Sequence, residues 1–123
     1  MSHEFTVSVL ALYPGAVGYA FAYFESRERM IDWGTPEFAA SHRHQNMVAM
    51  KGIERLIERY RPDIVVIEDD TEPGSRRSRR IRRLHQSICH MAAAKSIEIE
   101  RISRAQVRQT FATVGAGTRH EIA

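Results

Sequence analysis

The stretch VLALYPGAVGYAFAYFE, residues Val9–Glu25, predicts the start of the fold because two apolar runs flank one set of turn residues. The first run extends back to Phe5 and carries apolar residues on both of its alternating faces, as in a strand that is covered on both sides. Pro14 and Gly15 suit the centre of a type II turn, and residues 18–25 follow as a second strand. We therefore expect an antiparallel hairpin whose first strand is central in a sheet.

The remaining segments alternate between strand and helix patterns. The predicted elements are a short strand at 29–33, an amphipathic helix at 44–60, a buried parallel strand at 64–67, a helix at 77–95, a strand at 97–102 and a helix from Ser103 to about 112. This order predicts an α/β fold with a mixed five-stranded sheet, in which a three-stranded antiparallel meander adjoins two parallel strands, flanked by helices.

Length and composition limit the organisation and the location of the chain. Its 123 residues suit one domain, and a hydrophobic content of 43% suits a packed core. The N-terminus MSHEFTVS has an acid where a signal peptide needs basic residues, and the apolar runs are too short to span a bilayer. We expect a single domain over residues 1–123, located in the cytoplasm and without a membrane partner.

Acidic residues directly follow the fourth predicted strand. Glu68 ends an otherwise apolar parallel strand, and open α/β sheets place their sites at such ends. Side chains alternate along a strand, so Asp69 is expected on the opposite face and Asp70 is the acid that could turn toward Glu68. Two interpretations of the acids after Glu68 stay open: a weak single-metal site with Asp70, or solvated acids at a strand-to-loop junction.

Six arginines occupy eight positions at the start of the second predicted helix: Arg76, Arg77, Arg79, Arg80, Arg82 and Arg83. Cations there oppose the helix dipole and repel one another. An anionic partner would offset both effects, and nucleic-acid phosphates suit arginine because it binds them bidentately. We therefore predict nucleic-acid binding by these residues, with a merely solvated, solubilising helix face as the alternative.

The order of these elements, with the motifs at the strand ends, resembles one known family. The motifs are LALYPG followed by AVGYAFA, then IDWGT, RYRPDIVVIED and ISRAQVRQTFATVGAGTRHEIA. Their order and spacing over nearly the whole sequence are similar to the RuvC-like family, the Holliday junction resolvases and their relatives in the ribonuclease H-like superfamily. The resemblance implies a metal-dependent endonuclease that hydrolyses phosphodiesters in branched DNA during recombination and repair. It also implies two magnesium (or manganese) ions and a homodimer.

The sequence departs from the family pattern at the expected catalytic residues. Glu68 matches the family's fourth-strand acid, but the first-strand aspartate is replaced by Tyr13, whose neutral phenol is a poor magnesium ligand. The C-terminal acids of the family also have no counterpart before Ala123. We expect cleavage to be weak or lost, or else the sequence to be a piece of something longer. Tyr13 is then a lost ligand, an aromatic platform for an unpaired base, or a lid over the hairpin.

Two further arginines are assigned by the resemblance alone. Arg108 and Arg119 match, by spacing, the basic residues that approach the scissile phosphate in the resolvases, where lysine is usual. The loop between them would otherwise be a simple linker. The competing hypothesis for the whole chain is a catalytically inert DNA-binding or structural scaffold module. The actin-like sugar kinases, which have a similar first hairpin, are excluded by length because they need two related domains.

Overall fold

The computed structural model describes residues 7–26, 29–37, 44–71 and 77–103, together with residues 105, 106 and 109. Its elements, in chain order, are β1 (Val9–Pro14), β2 (Tyr19–Ser26), β3 (Arg29–Gly34), α1 (Gln45–Tyr60), β4 (Ile64–Glu68), α2 (Arg79–Ala94) and β5 (Glu98–Ile102). The strands form one sheet in the order β3-β2-β1-β4-β5. β1, β2 and β3 pair antiparallel, whereas β4 is parallel to both β1 and β5. The predicted mixed sheet is confirmed.

The turn of the first hairpin lies further along the chain than its sequence predicts. Tyr13 and Pro14 belong to β1, where Pro14 pairs with Tyr19, and the Gly15 N–H donates to the Gly18 carbonyl at 2.8 Å. The expected type II turn centred on Pro14 and Gly15 is therefore wrong. Proline is tolerated in the strand because the pairing of β1 with β4 runs only from Val9 to Ala11, so the missing N–H leaves no bond of that ladder unmade.

One face of the sheet forms the core with both helices. The buried cluster contains Leu10 and Leu12 of β1, Phe21 of β2, Val65 and Ile67 of β4, Ile53 and Ile57 of α1, and Leu84 and Ile88 of α2. Because side chains alternate along a strand, the residues that follow Leu12 and Ile67 are directed away from this cluster. Those residues are Tyr13 and Glu68. No helix within the described ranges is long and apolar enough to cross a membrane.

Tyrosines contact helix α1 at two places, its last residue Tyr60 and Gly52 near its middle, and hold it against the antiparallel strands β1–β3. The rings of Tyr23 and Tyr60 stack with their centroids 4.2 Å apart, and the Tyr60 hydroxyl donates a hydrogen bond to Asp32. That hydrogen bond, which favours the neutral phenol, raises the pKa of Tyr60, and burial adds to the effect. Near the middle of the helix, Gly52 leaves room for the side chain of Tyr19: a Cβ at position 52 would lie 2.4 Å from the Tyr19 hydroxyl oxygen.

The substitution Gly52→Ala tests this contact. Alanine in a helix interior is favoured over glycine by about 1 kcal/mol, whereas overpacking costs about 1 to 3 kcal/mol. We expect Gly52→Ala to lower the free energy of unfolding in the presence of Tyr19 and to raise it in a Tyr19→Phe background. Urea unfolding of the four proteins in this double-mutant cycle measures the coupling. Equal effects in both backgrounds would contradict the close approach.

Candidate functional site

The candidate site lies at the carboxyl ends of the neighbouring strands β1 and β4. Their parallel register pairs Leu10 with Val65 and Ala11 with Val66. Continuing that register by two residues brings Tyr13 to the level of Glu68, the two residues that the family resemblance matches to the first-strand and fourth-strand acids. The carboxyl ends of adjacent parallel strands are where α/β sheets commonly bind ligands.

Glu68 is a buried carboxylate with one cationic neighbour. Its Oε1 lies 3.2 Å from Nε of Arg77, and the two side chains are 1% and 11% exposed. The contact is an ion pair rather than an aligned hydrogen bond, since neither atom meets hydrogen-bond geometry with any group of the residues that the structure describes. Coulomb attraction at this distance is strong in a poorly solvated crevice. The Arg77 guanidinium therefore neutralises Glu68.

Arg77 is held by two further groups of β1. Its Nη2 donates a hydrogen bond to the Pro14 carbonyl, and its guanidinium carbon lies 5.2 Å from the centroid of the Tyr13 ring. A cation within about 6 Å of an aromatic face is attracted by the ring quadrupole. Tyr13, Pro14, Glu68 and Arg77 thus form one set of contacts, which we call the Arg77 cluster.

Arg80 joins three parts of the chain beside this cluster. Its Nη2 donates to the Gly15 carbonyl at 2.8 Å, and its Nη1 donates to Oδ1 of Asn46 at 3.0 Å. The Asn46 amide returns a hydrogen bond to the Arg80 carbonyl at 2.9 Å. Burial, with the nearby charge of Arg77, lowers the pKa of Arg80. Arg80 therefore ties the hairpin turn to the starts of α1 and α2.

The acids that follow Glu68 contact other partners. Oδ2 of Asp70 lies 2.7 Å from Nδ1 of the buried His85, whose Nε2 has no hydrogen-bond partner within the described part of the chain. Asp69 accepts hydrogen bonds from the backbone N–H and the hydroxyl of Thr71, at 3.0 and 2.6 Å, and these lower the pKa of Asp69. The three consecutive acids thus have three different partners.

The other predicted arginines either are exposed or lie outside the described residues. Arg79, Arg82 and Arg83 are exposed on the first turns of α2, which begins after the N-cap Ser78. Arg76, Arg108 and Arg119 lie outside the described residues. Of the five arginines at the start of α2 that the structure describes, Arg77 and Arg80 are half-buried beside Glu68 and the first hairpin, whereas Arg79, Arg82 and Arg83 are exposed.

The partners of the two acids were not predicted from the sequence; they are Arg77 for Glu68 and His85 for Asp70. His85 carried a usable signal, since it falls on the same helical stripe as Ile81, Leu84 and Ile88, and a histidine among core residues needs a polar partner. Arg77 carried none, because nothing local distinguishes it from the arginines around it.

The described residues do not fit a magnesium centre. Mg²⁺ prefers an octahedron of oxygen ligands and is commonly held by one or two carboxylates. No group of three His, Cys, Asp or Glu side chains that could hold a metal ion occurs among residues 7–26, 29–37, 44–71, 77–103, 105, 106 and 109. At the position next to Glu68 there is a guanidinium, and position 13 offers a phenol.

The buried ion pair predicts a strong and partner-dependent effect on stability. Removing one partner of such a pair leaves an uncompensated charge and costs about 3 to 5 kcal/mol. We expect Arg77→Gln to lower the free energy of unfolding by about this amount, and the double variant Arg77→Gln/Glu68→Gln to recover most of it. Urea unfolding at neutral pH is the measurement.

The exposed neighbour Arg79 provides the control for that experiment. Arg79→Gln removes the same charge from the surface and is expected to change stability by less than about 0.5 kcal/mol. A loss in Arg77→Gln no greater than in Arg79→Gln would contradict the ion pair.

Comparisons with known proteins identify the architecture. No protein-family model matches the sequence, and no curated protein matches it significantly. Among solved structures, RuvC of Thermus thermophilus superposes with a TM-score of 0.64 at 13% identity, over 83% of this chain and 67% of that chain. T. thermophilus RuvC in complex with a Holliday junction substrate gives a TM-score of 0.65 at 12% identity, over 84% of this chain and 68% of that chain.

At identities of 12 and 13%, this likeness carries information on the fold alone. The resemblance in fold that the sequence motifs implied is confirmed: the chain has a RuvC-like, ribonuclease H-like fold.

Proposed function

We propose that this domain binds DNA, branched DNA in particular, and that its hydrolysis of phosphodiesters is weak or absent. The observation that carries the proposal is the exposed arginine group of α2, Arg79, Arg82 and Arg83, on the helix that follows Arg77, whose guanidinium already neutralises Glu68. The fold supports the choice of ligand, because a protein of this fold has been solved with a Holliday junction substrate.

The three exposed arginines form one surface patch. Residues three and four apart on a helix are neighbours, so Arg79 lies beside both Arg82 and Arg83. The first turn of α2 contains no acidic residue that would offset their charge or complement the helix dipole. Phosphates carry negative charge that complements these arginines, and their binding releases counterions from the nucleic acid. The patch is therefore suited to a phosphate backbone rather than to particular bases.

The weakness of cleavage follows from the contents of the crevice. Two-metal hydrolysis places an ion on each side of the phosphate, and those ions require several carboxylates. The described residues offer Glu68 in contact with Arg77 and Asp70 in contact with His85. Arg77 and His85 thus neutralise or hydrogen-bond these acids, and their contacts position α2 against β4.

Several expectations from the sequence accompany this proposal as predictions. They are phosphate contacts by Arg76, Arg108 and Arg119, a homodimer, and a cytoplasmic location.

DNA affinity of charge variants tests the arginine patch. We expect Arg79→Gln/Arg83→Gln to weaken binding of a labelled four-way junction and to reduce the slope of log affinity against log salt by about 2, one unit for each lost phosphate contact. Mobility shifts over a series of potassium chloride concentrations give the slope.

The matched control is Lys51→Gln/Arg55→Gln, which removes two exposed cations at the same helical spacing from α1. Its slope should stay near that of the wild type. An equal loss in both variants would show that net charge alone determines binding, and no binding by the wild type would leave the structural scaffold as the function.

Nuclease activity is tested on the same junction. The wild type is incubated with magnesium and then with manganese, beside Glu68→Gln at a temperature where both proteins are folded, and cleavage and mobility shift are read from the same samples. We expect a salt-sensitive shift without cleavage in both proteins. Cleavage that disappears in Glu68→Gln would show an active site and would contradict the proposed loss of hydrolysis.

A further inference from the structure

The crevice at the ends of β1 and β4 contains a positive charge that belongs to the chain itself. Glu68 is 2% exposed, and a carboxylate buried to that degree requires a cation or several hydrogen-bond donors. The Arg77 side chain, 3.2 Å away and 11% exposed, meets that requirement. An ion pair this well enclosed is little screened by salt.

Arg77 is positioned by three contacts of different kinds. The carboxylate of Glu68 attracts its charge, the Pro14 carbonyl accepts a hydrogen bond from Nη2, and the ring of Tyr13 lies 5.2 Å from the guanidinium carbon. The Pro14 carbonyl lies beyond the last recorded pair of the β1–β4 ladder, Ala11 with Val66. The guanidinium therefore takes up a carbonyl that the β1–β4 pairing leaves unpaired.

The second acid near this end of β4 is engaged from the same helix. Asp70 contacts Nδ1 of His85 at 2.7 Å, and His85 is 3% exposed. Glu68 and Asp70, the two acids that the sequence offered for a metal ion, thus each contact a side chain from the α2 region. A divalent ion placed beside Glu68 would also meet the guanidinium charge at close range and be repelled by it.

We infer that Arg77 is the resident cation of this crevice: its guanidinium occupies the place beside Glu68 that a divalent ion would need, and Tyr13 supports it there. The site then binds no magnesium or manganese in the native protein. The inference concerns the cation of the site and holds whether or not the domain binds DNA.

Manganese titration of the native protein, without nucleic acid, tests the inference directly. Mn²⁺ is paramagnetic and broadens the NMR signals of nearby amides. In the wild type we expect no selective broadening of the amides of Tyr13 and Glu68 at millimolar manganese. Selective broadening of these signals that is lost in Glu68→Gln would overturn the inference.

The double variant Tyr13→Asp/Arg77→Gln provides the opposite arm. It supplies a second carboxylate and removes the guanidinium, so its apparent affinity for manganese should rise by roughly tenfold or more over the wild type, through relief of charge repulsion. If the variant is unfolded in a chelator, manganese should restore its fold, because an ion that binds only the native state stabilises it. A double variant that neither binds manganese nor is rescued by it would show that Arg77 is not what keeps the ion out.

Sodium chloride at equal ionic strength, which supplies no divalent ion, separates binding at the site from general salt effects. The signals of Tyr13 and Glu68 are read in the absence of DNA, so failure of the proposed DNA binding leaves the outcome of this test unchanged.

Discussion

The enclosed carboxylate of Glu68 is the constraint on which the rest of the site depends. Taking an ion of this kind out of water costs several kcal/mol even after the protein relaxes, so a counter-charge must arrive with it. That counter-charge is supplied by Arg77, which directly precedes the N-cap Ser78 of α2. The contact of Arg77 with Glu68 brings the start of α2 to the ends of β1 and β4. The positions of Pro14 and Tyr13 follow, since both contact the same guanidinium.

Some arginines at the start of α2 contact the protein itself, and others are exposed to solvent. Ile81, Leu84 and Ile88 bury one stripe of the helix, which fixes its rotation about its own axis. With the rotation of the helix fixed in this way, Arg80 contacts the hairpin turn and Asn46. Arg79, Arg82 and Arg83 remain exposed at the surface. A count of basic residues in the sequence therefore overstates the charge offered to a partner, because part of it neutralises and positions the protein itself.

The fold could be predicted from the sequence to within a few residues because hydrophobic periodicity records which faces are buried. The first turn was misplaced because Pro14 and Gly15 favour a type II turn locally, whereas strand pairing with Tyr19 extends β1 through Pro14. The adjacency of position 13 and Glu68 was implied by the family resemblance, which matches these residues to the ends of the first and fourth strands. The contact of Glu68 with Arg77 could not be predicted, since nothing local distinguishes Arg77 from the arginines around it.

Charge balance connects the phenol at position 13 with the cation beside it. An aspartate there would add a second carboxylate to Glu68, and two clustered carboxylates are balanced by a divalent ion. Glu68 alone carries one negative charge, which one guanidinium balances. A neutral ring at position 13 then adds no unpaired charge to the crevice, and its π face attracts the same guanidinium that Glu68 binds. On the inference that Arg77 is the resident cation, Tyr13 and Arg77 are therefore two parts of one arrangement: restoring an acid at position 13 while Arg77 remains would leave one negative charge in excess, and removing Arg77 alone would leave Glu68 unbalanced.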